Sequence, residues 1–518
     1  MKKIIGILSF LVWIAQSVSA QQFYDVTQYG AKRDSSAKAT EAIKKAIDAA
    51  VKAGGGTVYF PAGKYLTGPI HLKSNITIFI DAGAELHFSD DFDDYLPMVE
   101  SRYEGVDVKT FSPLFYAYEA ENIAIIGRGI VDGHGKKWWA FVEGYKEGQP
   151  RSKWQQLFDE NNKDILLPDD PKQMKRGFLR PPFIQTMYCK NVLIQGITIR
   201  NSPFWTINPE FCDNVTIHAV TIINPKRMAP NTDGINPESC SNVRISDCYI
   251  SVGDDCITIK SGKDLPGRTK DRPAENYTIT NCTMLDGHGG VVIGSEMSAG
   301  VRKITISNCV FDGTDRGIRL KTVRGRGGVV EDIRVDNIVM KNIRDQAIVL
   351  DMEYAKSTPE PVSERTPKFR NIHLSNITAY ARDAMYINGI DEMPVSEISL
   401  HNAVFQTQRG IIIKNAKDIQ LRDVRVNAQQ GSALSVINTD RLLVSNLEST
   451  TTDTNTPVIS LNNTKNALLR HLWPFEKTAL YVKVSGAASQ NINLADNFFK
   501  EDAVSIENEV LKQEVKFH

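Results

Sequence analysis

Residues 191–199 read NVLIQGITI, residues 214–222 NVTIHAVTI, residues 242–250 NVRISDCYI and residues 276–284 NYTITNCTM. Apolar and polar residues alternate in each, so each reads as a strand with one buried and one solvated face. The pattern returns at Lys303, Asp332, Asn371, Glu397, Asp418 and Arg441, at intervals of 21 to 39 residues. Short strands repeated this way, without helices between them, predict a solenoid in which each coil buries its face only against the next. A propeller needs roughly 40–50 residues per blade, and the Leu/Asn consensus of leucine-rich repeats is absent. A β-helix remains: an all-β chain whose parallel strands stack about 4.8 Å apart.

A second strand per coil supports this reading. Asp233-Gly234-Ile235, Asp255-Cys256-Ile257, Gly289-Gly290-Val291 and Arg316-Gly317-Ile318 align, a small residue preceding an apolar one. Gln346-Ala347-Ile348, Asp383-Ala384-Met385, Arg409-Gly410-Ile411 and Ser432-Ala433-Leu434 continue the column. Six of the seven cysteines fall at two repeat positions: Cys189, Cys212 and Cys240 in one column, Cys248, Cys282 and Cys309 in the other. They are expected as buried, reduced thiols packing as small apolar residues, with disulfide pairing the competing reading. Cys256 is expected in the core. Polar residues ahead of the second column (Asp247, Asn281, Asn308, Asn337, Asn376, Asn402) are expected to stack side chain on side chain at a bend.

Outside the repeats, residues 37–53 read as an amphipathic helix with Ile43, Ile47, Ala50 and Val51 on one face, closed by Gly54-Gly55-Gly56. A helix there would cover the open end of the first coil. Residues 136–178 interrupt the repeats and carry Trp138, Trp139 and Trp154. They read as an insertion that either packs as a cap or forms a rim of the binding cleft. The expected organisation is a cap segment at 21–56, a β-helix over 57–470 and a C-terminal coil or cap over 471–518.

Residues 1–20 read as a signal peptide: Lys2 and Lys3, an apolar run from Ile4 to Ala15, then Ser17-Val18-Ser19-Ala20 with cleavage expected after Ala20. The run is too short for a comfortable membrane span. Export to the periplasm of a Gram-negative bacterium is the expected fate, with no membrane insertion. Lys+Arg and Asp+Glu are both 61. No global basic field therefore draws the chain to nucleic acid, although a local basic patch could still bind an acidic polymer.

Four segments in consecutive coils carry the chemistry: Asn231-Thr232-Asp233-Gly234, Gly253-Asp254-Asp255-Cys256, Gly287-His288-Gly289-Gly290 and Arg319-Leu320-Lys321. The alignment makes Asp233 and Asp255 neighbours on adjacent strands, with Asp254 beside them. Carboxylates this close repel, so at least one should hold its proton. A protonated carboxyl can act as general acid while ionised partners activate water, the logic of glycoside hydrolysis. Arg319 and Lys321 alternate outward on their strand, with Leu320 inward. Lys260 sits at the matching position two coils earlier. Such a basic row suits a guest that carries carboxylates.

This ordered set (NTD, GDDC, GHG, R-x-K) resembles glycoside hydrolase family 28, the polygalacturonases and their relatives, over about residues 23–446. The resemblance implies a right-handed, pectin-lyase-like parallel β-helix and hydrolysis of α-galacturonosidic bonds in pectin, without metal or cofactor. It implies Asp254 as general acid, Asp233 and Asp255 as the pair activating water with inversion, and His288 tuning the acid. It implies Arg319 and Lys321 on the galacturonate carboxylate, and Tyr354, with Asn231 and Lys260, on the substrate. The family commonly has R-I-K where Leu320 stands here. The segments around Asn231–Lys260, Gly290–Glu296 and Ser112–Tyr118 look like the bacterial exo-acting branch. A second Gly-His-Gly, at residues 133–135, lies outside the cluster and reads as a turn. Two other functions fit the same fold: a pectate lyase working by β-elimination with Ca²⁺, and a non-catalytic carbohydrate-binding β-helix.

Overall fold

The computed structural model describes residues 23–518 except 145–147, 166–179, 227, 451–455 and 475–479. The expected signal peptide therefore lies outside the described residues. The chain winds as a right-handed parallel β-helix, with nearly all its strands hydrogen-bonded parallel to those of the coil before and after. The repeat register is the one the alternation predicts. Val192, Val215, Val243, Tyr277, Ile304, Ile333, Ile372 and Ile398 are successive partners in one buried column. The second column runs Ile207, Ile235, Ile257, Val291, Ile318, Ile348, Met385 and Ile411.

The polar first residue of each segment has a conformational purpose. Asn191, Asn214, Asn242, Asn276, Asp332, Asn371 and Asp418 all have φ between 51° and 64°. That left-handed region costs most L-residues roughly 1–2 kcal/mol, and Asn and Asp tolerate it best. Their side chains form a ladder along the axis: Asn214 donates to Asn191 at 2.6 Å and Asn191 to Asn122 at 2.8 Å. The predicted stack at the second bend is present in the same conformation, with Asn337 donating to Asn308 at 2.8 Å and Asn402 to Asn376 at 2.6 Å. All seven cysteines are buried and unpaired, and the two columns of three fall in register.

Three details differ from the sequence reading, and one alternative that it left open is decided. The capping helix, Thr40–Lys52, buries Ala42, Ile43, Ala46, Ile47 and Ala50, but Val51 is 43% exposed because it falls off the apolar stripe. The coils begin before residue 57, since Phe23–Asp25 pairs with Gly56–Phe60. They also continue past 470: Val482–Ser485 and Gln490–Ala495 stack on Ile459–Arg470, and Val504–Ile506 and Val515–Phe517 stack on them. The C-terminal segment is thus further β-helix rather than a separate cap. The insertion forms helices Lys136–Glu143 and Lys153–Asn161, and its tryptophans turn inward. Trp138 is fully buried and stacks on Phe92 at 4.1 Å, Trp154 meets the same ring at 5.1 Å, and Trp139 donates to the Ser202 carbonyl. Among the described residues this is packing, not a cleft rim.

One antiparallel hairpin, Val99–Tyr103 with Val106–Thr110, leaves the solenoid and leans over its face. Its turn residues Glu104 and Gly105 both have positive φ, which matches the twist of the flanking strands. A Cβ at Gly105 would lie 2.6 Å from the Lys263 backbone nitrogen, so glycine lets the turn press against that loop. The hairpin is anchored by Arg102, which is 1% exposed and pairs with Glu238 at 2.7 Å and Glu210 at 3.3 Å. Removing one partner of such a buried group costs about 3–5 kcal/mol. Among the described residues no helix is long and apolar enough to cross a membrane.

Candidate active site

Beneath that hairpin lies a cleft of about 430 Å³. Asp233, Asp254, Asp255, His288, Arg319, Lys321, Tyr354, Lys260 and Asn231, the nine residues singled out from sequence, all line it. The register explains why. Ile235 pairs with Ile257, and Asp233 and Asp255 each stand two residues earlier, so they come side by side on adjacent coils just ahead of the paired strands. The Asp254 carbonyl accepts the His288 N–H at 3.0 Å, which puts His288 one coil beyond Asp254.

The three carboxylates differ in their surroundings. One oxygen from each of Asp233, Asp254 and Asp255 lies within 4.8 Å of the others. Asp255 accepts from Lys321 Nζ at 2.8 Å and lies 3.4 Å from an Arg319 nitrogen. Burial alone would raise its pKa, but Lys321 and then Arg319 outweigh burial and hold it down at about 2. Asp233 is pushed well above the carboxylate range, first by burial and then by the charge of Asp254, against the pull of Lys260. Asp254 is the more open, with 17% side-chain exposure, and its Oδ1 lies 3.0 Å from His288 Nδ1. That hydrogen bond, offset by partial burial, raises His288 to about 9, so its ring is protonated at neutral pH. The raised carboxyl that the clustering predicts is thus Asp233, which burial and the charge of Asp254 push up against the pull of Lys260.

The basic row also differs from the sequence expectation. Arg319 and Lys321 do point outward, with Leu320 in the core, but both are engaged with Asp255. Their cationic groups sit over the Tyr354 ring at 5.7 and 5.6 Å. Lys260 is only 4% exposed; it donates to Glu296 at 2.7 Å and lies 4.7 Å from the Trp205 ring centre. It belongs to the floor of the cleft rather than to a solvated row. The Asn231 side-chain oxygen accepts from the buried Arg180 at 2.8 Å.

Six lining residues were not read from sequence as site residues: Glu104, Trp205, Lys263, Ser295, Glu296 and Arg326. Trp205 had a signal. It stands two residues before Ile207, as Asp233 does before Ile235, and so continues the aspartate column by one coil. Glu296, 9% exposed, is held below its ordinary pKa against burial by Lys260, Lys263 and Arg326. With His288 protonated and Asp233 neutral, the lining presents six cationic groups against four carboxylates. The cleft thus favours an anionic guest. The three aspartates are also close enough to hold a cation between them. Lys321 and Arg319 already supply positive charge there.

The chain has relatives among glycosidases of pectin. Residues 169–408 match the model for glycosyl hydrolases family 28, and residues 23–139 that for rhamnogalacturonase A/epimerase, pectate lyase-like proteins. A probable polygalacturonase of Vitis vinifera is 33% identical over 62% of this chain, which spans 61% of that protein's length. An endo-polygalacturonase of Pectobacterium carotovorum subsp. carotovorum is 30% identical over 74% of this chain and 88% of its own. The crystal structure of a hyperthermoactive exopolygalacturonase from Thermotoga maritima superposes with a TM-score of 0.68 at 32% identity, over 83% of this chain and 92% of that one.

Proposed function

Since this chain belongs to glycosyl hydrolase family 28, we propose that its cleft hydrolyses α-galacturonosidic bonds of pectic chains, releasing sugar from a chain end with inversion at the anomeric carbon. The observation that carries this reading is the convergence of Asp233, Asp254 and Asp255 on one cleft floor together with Arg319 and Lys321.

In this reading Asp254 protonates the leaving oxygen. It is the more open carboxyl, and His288 donates to it. The His288 Nδ1–H holds Asp254 in place through that hydrogen bond, and the proton given to the leaving oxygen is replaced by the one the water gives up to Asp233. Asp255, kept ionised by Lys321, and Asp233 hold the water. The trio shares one proton, so its position belongs to the group rather than to one residue. A leaving oxygen that accepts from Asp254, and a water that donates to Asp233, would draw the proton from Asp233 to Asp254 when substrate enters. Tyr354 offers its ring face and Arg319 its remaining donors to the uronate beside the scissile bond.

The carboxylate oxygens lie within 4.8 Å of one another, closer than the roughly 6.5–9.5 Å typical of inverting pairs. Inversion here requires the water held by Asp233 and Asp255 to attack the anomeric carbon from the face opposite the leaving oxygen, with less space between the carboxyls than such pairs usually leave. End-on action is supported by the hairpin turn at Glu104, which walls the cleft. The apolar leader-like run at residues 4–15 supports a site of action outside the cytoplasm. A panel of oligogalacturonides tests the reading. Single galacturonic acid units as the first product are expected; a spread of oligomers would make the enzyme endo-acting, and no cleavage would reject the substrate class.

A further inference from the structure

On the outer face of the first coils, His87, Asp132 and His134 each bring one donor atom within 4.8 Å of the others. His87 and Asp132 are register partners on the adjacent strands Ala84–Phe88 and Ile130–Asp132. His134 follows two residues on, in the left-handed region at φ 46°. It is the second Gly-His-Gly of the sequence. A turn accounts for its backbone but not for its ring, whose Nε2 lies 3.1 Å from His87 Nδ1.

Each donor is oriented from behind. Glu85 Oε2 lies 3.2 Å from His87 Nε2 and can take its N–H, which leaves the Nδ1 lone pair facing His134. Asn201 Nδ2 donates to both Asp132 oxygens at 3.0 Å, and the His134 backbone N–H donates to Oδ1 at 2.9 Å. A lone pair and a carboxylate thus converge with a second imidazole. Two ligands about 2.0–2.1 Å from a tetrahedral zinc ion lie about 3.3–3.4 Å apart, close to the nitrogen separation here. Side-chain exposures of 24% for His87, 17% for Asp132 and 43% for His134 leave one side open to water.

We propose that His87, Asp132 and His134 form a binding site for a divalent transition cation of the zinc class, with its fourth position open to solvent. Two imidazoles and one carboxylate suit zinc better than calcium or magnesium, which prefer oxygen ligands throughout. The site is separate from the aspartate cleft. Asp132 pairs with Arg200, Arg200 with Ile223 and Ile223 with Ser251, so it lies three coil steps, roughly 14 Å, before the coil of Asp254. A bound ion would tie two coils to the turn that enters helix Lys136–Glu143, so it should stabilise the folded chain.

The test is Zn²⁺ titration of the full, chelator-stripped protein against a competing chromophoric chelator, together with thermal unfolding at increasing free Zn²⁺ and the visible spectrum of the Co²⁺ form. One equivalent per chain is expected, with a rising unfolding temperature and the absorption of four-coordinate Co²⁺. His134→Asn tolerates the left-handed backbone, and His87→Gln keeps a polar side chain. Each is expected to weaken binding at least about 100-fold while leaving the zinc-free unfolding temperature near wild type. Glu85→Gln should weaken it about 10-fold. Absence of stoichiometric binding, or binding unchanged in whichever of the two histidine variants folds, would overturn the site.

Discussion

Lys321 Nζ lies 2.8 Å from Asp255 Oδ2, and the two side chains are only 12% and 2% exposed. The contact explains how a carboxylate can stay ionised beside two others. Lys321→Met should therefore do two things. Loss of one partner of a buried pair should cost about 3–5 kcal/mol of stability in denaturant titrations. Asp255, freed of its nearest cation, should titrate higher, and the acid limb of kcat/KM should move up by about 1–3 pH units. An unmoved limb would mean that Asp255 is not the ionised partner.

Asp233 pulls the other way. Its folded pKa is raised by burial and by Asp254, so the folded state holds this proton more tightly than the unfolded chain. Stability from this group is full at low pH and falls as pH rises past the unfolded value of about 3.9. Asp233→Asn removes the liability. It should raise Tm at pH 7–8 while lowering kcat by about 10²–10⁴. A lower Tm would show that the carboxylate is better compensated than its surroundings indicate.

His288 gives a pH signature of the opposite partner. Its pKa is raised to about 9 from an unfolded value of about 6.5. The stabilisation from its bond to Asp254 is fully present below about pH 6.5 and lost as pH rises through about 9. The difference in Tm between wild type and His288→Gln should be greatest near pH 6 and vanish near pH 10. The alkaline limb of kcat should also change in the variant. A difference independent of pH would mean that the ring acts only by packing.

Removal of divalent cations separates hydrolysis from calcium-dependent elimination. With Lys321 and Arg319 on Asp255, the cleft has its own positive charge. Initial rates of oligogalacturonide cleavage should be unchanged by a strong chelator at moderate temperature. Rates abolished by chelator and restored by Ca²⁺ would favour the lyase chemistry.

Much of this was legible because a β-helix is periodic. Once Ile235 and Ile257 are aligned, Asp233 and Asp255 must be neighbours, and His288, Arg319 and Lys321 follow in the next coils. What hid was whatever leaves the repeat. Glu104 reaches the cleft on a hairpin that departs from the solenoid and is anchored by Arg102, a contact across 136 residues to Glu238 that no local pattern reports. The state of Lys260 was hidden for the same reason, since its partner Glu296 lies in a loop outside the strand columns. Alternation also cannot show which carboxyl is raised; the burial of Asp233 beside the charge of Asp254 decides that. The C-terminal segment could be read only as a coil or a cap, because its strands are short and their spacing irregular, although they stack in register.

The most direct test of the central claim is time-resolved proton NMR of trigalacturonate cleavage by the wild-type enzyme, with Asp254→Asn as control. The account predicts saturated galacturonic acid appearing first as the β-anomer and relaxing to the equilibrium mixture, with at least about 10³-fold slower release in Asp254→Asn. First appearance of the α-anomer, signals of an unsaturated product, or near wild-type turnover in Asp254→Asn would contradict it.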